Sequence, residues 1–198
     1  MSEYIIRRTD GIPNWDSVDA LPINNLLWSP PVPITAQAKL CYDGGGIYVQ
    51  LRANEPHIRA ENFGPMDSPC EDSCLEFFFC PVPGDSRYFN IEVNPNGCMY
   101  LGFGSGRTDL TRLHPEKPAI TPSVERFEGG WEVSYCIPYS FISLFFPGYL
   151  PASGSTIRAN LYKCGDLTVQ EHYIAAFPID LENPDFHCPN FFQSLKFE

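Results

Sequence analysis

Glu76, in the run Cys74-Leu-Glu-Phe-Phe-Phe-Cys80, and Asn90, Glu92 and Asn94, in the run Arg87-Tyr-Phe-Asn-Ile-Glu-Val-Asn94, are the residues whose types and spacing could do chemistry together. Ionised carboxylates accept hydrogen bonds, whereas side-chain amides both donate and accept, so the set suits a ligand carrying many hydroxyls or other polar groups. Two carboxyl groups held roughly 5 to 9 Å apart with different pKa values are also the acid and base of a glycosidase. Cross-strand neighbours can reach that separation. His172 and His187, close in sequence to Cys164 and Cys188, suggest a Cys-His nucleophile, but such a pair needs spatial geometry that sequence adjacency does not supply.

The elements that must hold these groups are two strand-length runs joined by the turn residues Pro81 to Ser86, which read as an antiparallel hairpin. Alternation puts Leu75, Phe77, Phe89, Ile91 and Val93 on one face and Glu76, Asn90, Glu92 and Asn94 on the other. The second face is either an ordinary solvated sheet surface or the floor of a groove. Further strands are expected over Thr35 to Tyr42, Ile47 to Ala53, Gly97 to Phe103, Ile120 to Phe127, Trp131 to Ile137, Thr156 to Cys164, Glu171 to Phe177 and Phe191 to Phe197. An edge strand is expected near Tyr4 to Arg7, within a segment 1–33 rich in Pro, Asn and Asp that wraps a core rather than forming one. Tyr139 to Phe146 reads as one or two helical turns.

With 20 prolines and 15 glycines and no long amphipathic run, the fold class expected is all-β, about ten strands around one apolar core in a two-sheet antiparallel β-sandwich. A formal charge of −11 opposes nucleic acid and anionic membrane surfaces. No stretch approaches the roughly 20 apolar residues of a membrane span, and no signal-peptide core opens the chain, so a cytoplasmic location is expected for the sequence as given. The eight cysteines are unlike a zinc set: Cys70 and Cys74 lack Cys-x-x-Cys spacing, while Cys41, Cys74, Cys98, Cys136 and Cys164 lie in or beside apolar runs and read as small core residues. The glycine-rich stretch at Gly102 to Gly106 has no helix start after it to make a phosphate cradle.

Four landmarks in order resemble the family 9 carbohydrate-binding modules and their DOMON-like relatives. They are Asp72-Ser-Cys-Leu-Glu-Phe-Phe78; Ile91-Glu-Val-Asn94; Gly129-Gly-Trp-Glu-Val133 with Ile137-Pro138; and Phe186-His-Cys-Pro-Asn-Phe-Phe-Gln-Ser-Leu-Lys-Phe197. The resemblance implies a jelly-roll-type sandwich over the whole chain, 1–198, binding a mono- or oligosaccharide on a sheet face without catalysis, as an accessory to a glycoside hydrolase. Its implied site residues are Glu76, Glu92, Asn94, Tyr162 and Asn183, with Phe186 as one aromatic wall and Cys70 at or beside the position of the other. Some members imply structural calcium, for which Asp43, Glu55, Asp67, Asp72 and Asp185 are the oxygen candidates, although no EF-hand loop is present. Two readings stand beside the binding module. One is a hydrolase using Glu76 and Glu92; the other is an interaction module presenting Trp15, Trp28, Phe141, Phe145 and Phe146.

Overall fold

The computed structural model describes residues 3–198. Fourteen strands form among them: β1 (Tyr4–Arg8), β2 (Leu21–Ile23), β3 (Asn25–Leu27), β4 (Thr35–Tyr42), β5 (Gly46–Asn54), β6 (Cys74–Cys80), β7 (Tyr88–Val93), β8 (Met99–Gly104), β9 (Thr111–Arg112), β10 (Ser123–Phe127), β11 (Gly130–Pro138), β12 (Thr156–Gly165), β13 (His172–Ala175) and β14 (Gln193–Phe197). One short helix, α1 (Tyr139–Ile142), follows β11. No helix among the described residues is long and apolar enough to cross a membrane.

The all-β class is as expected, but the pairing is mixed. The strands run in the order β10-β11-β5-β4-β1-β14-β12-β6-β7-β8-β9, and β1 is parallel to both of its neighbours, pairing Ile5 with Lys196 on one side and Arg7 with Cys41 on the other. The strand expected at an edge is therefore central, and the pairing is mixed rather than purely antiparallel. Through β1 the sheet curls so that β4, β5 and β11 share a core with β6, β7, β12 and β14. The leading segment adds Ile6, Leu21 and Ile23 to that core rather than merely covering it.

Alternation accounts for the filling. Leu75, Phe77 and Phe79 of β6 and Phe89, Ile91 and Val93 of β7 all point inward and are buried, where they meet Leu40, Val49, Leu51 and Val133. Trp131 is fully buried, and its indole nitrogen donates to Glu55 at 3.3 Å. Phe141 and Phe146 are buried and Phe145 is half-buried. They close one end of the core, with Phe145 4.5 Å from the Phe103 ring and Phe141 5.3 Å from Phe89. The eight cysteines are all free, and Cys41, Cys74, Cys98 and Cys164 are buried as the apolar runs imply.

The opposite face of β6, β7 and β12 is covered too, which the alternation alone left open. Cys74, Phe78 and Cys80 on β6, Tyr88 on β7, and Tyr162 and Cys164 on β12 form a second apolar cluster with Phe186 and Phe192 from the returning chain. Glu76 and Glu92 lie on this covered face at 2% and 7% exposure, so it is no solvated sheet surface.

Candidate functional site

Register places the carboxylates. The β6–β7 pairing sets Glu76 directly opposite Glu92, and the β12–β6 pairing sets Tyr162 opposite Glu76 and Cys164 opposite Cys74. Above them the cover is incomplete, leaving a cavity of about 200 Å³ whose floor is Glu76, Glu92 and Cys164. Its walls are the rings of Trp28, Tyr173 and Phe186. Cys70, Asp166, Arg107, Asp185 and His187 form the rim. A larger hollow of about 300 Å³ lies elsewhere, between Phe63, Met99, Leu113 and Ile120, but its lining holds no carboxylate or amide side chain to fix a polar ligand.

Each wall has a local cause. Leu26 pairs with Ile174 and Leu27 with Tyr173, so the end of β3 delivers Trp28 beside Tyr173. Trp28 takes a left-handed backbone conformation, φ 47°, which is unfavourable for a residue with a Cβ. Its indole nitrogen donates to the Leu181 carbonyl at 2.7 Å, and its ring lies 5.8 Å from that of Phe186. Phe186 stacks flat on Tyr162, rings 3.9 Å apart and 6° from parallel. Gly165 ends β12 as glycine because a Cβ there would stand 2.6 Å from the His172 ring.

The floor is acceptor-rich and poorly paired. Glu76 Oε1 accepts from the Cys164 thiol at 2.9 Å, and Glu92 Oε1 accepts from Asn90 Nδ2 at 2.8 Å. Neither carboxylate forms an ion pair among the described residues. Burial, then the charge of its neighbour Glu92, pushes the Glu76 carboxyl well up. Burial likewise raises Glu92, to about 7. Carboxyls this close titrate as a pair, the first ionisation opposing the second. At the rim, Arg107 is spent on Asp185 at 3.0 Å, and burial holds His187 down at about 4, so its imidazole is neutral at pH 7.

The residues singled out from sequence divide. Cys70, Glu76, Glu92 and Phe186 meet at the cavity; Asn94, Tyr162 and Asn183 do not line it. Asn94 is fully buried and fully used: its amide nitrogen donates to Asn62 O and Asp72 Oδ2, and its oxygen accepts from the backbone nitrogens of Asn96 and Cys98. Tyr162 is a backing plate behind Phe186, its hydroxyl donating to the Phe186 carbonyl at 3.2 Å. Asn183 is exposed on the covering loop. Tyr173 and Asp166 were not among those picked out, and Trp28 was picked out only as a ring for an interaction module to present. The sequence signal for Trp28 was a bulky aromatic in a Pro-rich segment, which says nothing of where the segment lands.

The Cys-His pairing is not formed. His172 Nε2 lies 2.8 Å from Lys163 Nζ, which donates to it, so the ring proton sits on Nδ1 and is donated to the Gln170 carbonyl at 2.7 Å. Cys188 is placed against Asp185 instead, at 3.5 Å. Among the described residues the group able to hold a metal is Cys74, Glu76 and Cys164, with ligand atoms within 4.8 Å of one another, a sulfur-rich set unlike calcium's oxygens. The five carboxylates considered for calcium are not brought together and are taken up by protein donors; Asp43, for example, accepts from Gly45, Gly46 and Tyr48.

The fold is a curled all-β sheet, and its candidate site is an aromatic-walled cavity floored by two carboxyl groups. The chain belongs to carbohydrate-binding family 9, whose model matches residues 10–197, and modules of this family are non-catalytic. A candidate carbohydrate-binding protein from Bacteroides uniformis is similar in structure, with TM-score 0.84 and 28% identity over 99% of both chains. A family 9 carbohydrate-binding module from Caldicellulosiruptor kristjanssonii in complex with glucose matches with TM-score 0.72 and 14% identity over 100% of this chain and 96% of that one. Its complex with cellotriose matches with TM-score 0.71 and 14% identity, covering 100% and 94%. No curated protein matches the chain.

Proposed function

We propose that this module holds one sugar ring in the cavity over Glu76 and Glu92, without chemistry, as an accessory to polysaccharide breakdown by a separate hydrolase. The observation that carries the reading is the meeting of three aromatic rings with two carboxyl groups in one hollow of a family 9 fold. Aromatic faces cover the apolar faces of a sugar ring, while acceptors take its hydroxyl protons. About 200 Å³ is below the roughly 300–1,000 Å³ of drug-sized sites and suits a single ring unit better than a chain segment. The glucose and cellotriose complexes of the Caldicellulosiruptor module support a saccharide as the ligand class.

Calorimetric titration of the whole protein with glucose and cellotriose tests this, beside Phe186→Ala and Glu76→Gln. Saturable binding by the wild type and loss of at least about tenfold in either variant, roughly 1.4 kcal/mol, is expected. Binding that both variants retain at full strength puts the site elsewhere. Turnover of a chromogenic glycoside would overturn the non-catalytic assignment.

A further inference from the structure

We infer that the sugar this cavity prefers carries a protonated amine, a 2-amino sugar of the glucosamine kind rather than a neutral hexose. The inference rests on the carbohydrate reading above and names the ligand class for the same site. It starts from a census of what the lining offers. Glu76 is 2% exposed and lines the cavity, yet its Oε2 meets no protein donor among the described residues. Asn90 Oδ1, fully buried on the same face two residues from Glu92 but outside the lining, has no partner either. Asp166 adds a third carboxylate at the rim.

Donors are scarce by comparison. The Trp28 indole is committed to Leu181 and the Tyr173 hydroxyl to Glu171 at 2.6 Å, while Arg107, at the rim, gives two of its five N–H groups to Asp185. His187 Nδ1 faces the Tyr88 hydroxyl at 2.8 Å, and the Cys164 thiol is turned on Glu76. Burial leaves the Cys70 thiol protonated and uncharged.

A hydroxyl brings one proton to such a floor and asks for donors in return. An ammonium brings three protons, asks for none, and supplies the positive charge that two buried carboxylates lack. The same group gains from aromatic faces, which attract cations through the ring quadrupole, and three such rings stand around the hollow.

Glucosamine, glucose and N-acetylglucosamine, titrated at pH 7 and low salt into the wild type, Glu92→Gln and Glu76→Gln, decide the matter. Glucosamine is expected to bind at least about tenfold tighter than glucose, with N-acetylglucosamine no better than glucose because acetylation removes the charge. The preference should vanish in the glutamine variants, whose folding is checked by near-ultraviolet circular dichroism. Glucose bound as tightly as glucosamine overturns the amine preference and leaves sugar binding intact. Absence of binding by all three sugars overturns both.

Discussion

Tyr162 and Phe186 lie face to face, 3.9 Å between ring centres, and the Tyr162 hydroxyl reaches past the stack to the Phe186 carbonyl at 3.2 Å. A strand in the middle of the sheet thus fixes both the ring and the backbone of a covering loop that has no regular structure of its own.

Tyr162→Phe keeps the stack and removes the bond, so it should cost about 1 kcal/mol in urea denaturation with little change in sugar affinity. Tyr162→Ala removes the plate itself and should cost about 3–5 kcal/mol. Its affinity loss should exceed that of Tyr162→Phe, because Phe186 is no longer held against the cavity. Equal affinity in the two variants would separate the loop's placement from binding.

The buried carboxyl pair makes stability depend on pH. Both groups titrate higher in the fold than the ordinary 4.5, so the folded state binds the extra proton and is favoured below that value. That stability is lost as the pH rises through the window from about 4.5 to 7. Glu92→Gln, which cannot ionise, should match the wild type at pH 4 and exceed it at pH 8 by roughly 3 kcal/mol, measured by chemical denaturation at both pH values.

A second buried charge cluster titrates in the opposite sense. Lys163, fully buried, faces Glu55 at 3.3 Å, the Cys164 carbonyl at 2.8 Å and His172 at 2.8 Å. Burial, then the Lys163 charge, holds His172 down at about 4. Its contribution is therefore complete above the ordinary 6.5 and fades as the pH falls from there towards 4. Lys163→Met strands the Glu55 carboxylate and should cost about 3–5 kcal/mol. Adding Glu55→Gln should recover part of that loss, and a double-mutant cycle reads the coupling.

Trp28 holds a backbone conformation that asparagine tolerates better than tryptophan. In Trp28→Asn the relief, of order 1–2 kcal/mol, offsets part of the lost packing and of the lost bond to Leu181. Affinity, by contrast, should fall by an order of magnitude, because one wall of the cavity is gone. Denaturation and calorimetry on the same preparation compare the two effects.

The hairpin of Glu76 and Glu92 was legible from alternation, because a period of two fixes which side chains share a face whatever lies beyond. What lies beyond was not legible. The cover over Glu76 comes from Trp28 and Phe186, over a hundred positions apart in the chain, and pairing across such distances leaves no trace in local pattern. Tyr4 to Arg7 read as an edge for the same reason: so short a run shows a strand but not its neighbours. Asn94 shares the parity of Glu92 and was placed in the site by the family resemblance, yet it lies one residue past its strand, where the backbone nitrogens of Asn96 and Cys98 take its side-chain oxygen.

Because Tyr4 is zipped to Leu195, a nascent chain cannot close this fold until Leu195 has left the ribosome. Until then β1 and β12, the two partners of β14, would each present a bare row of amides and carbonyls, the state in which foreign strands attach most readily. Closing a loop that spans nearly the full length is also slow, so the seam at β1 sets both the pace of maturation and its hazard.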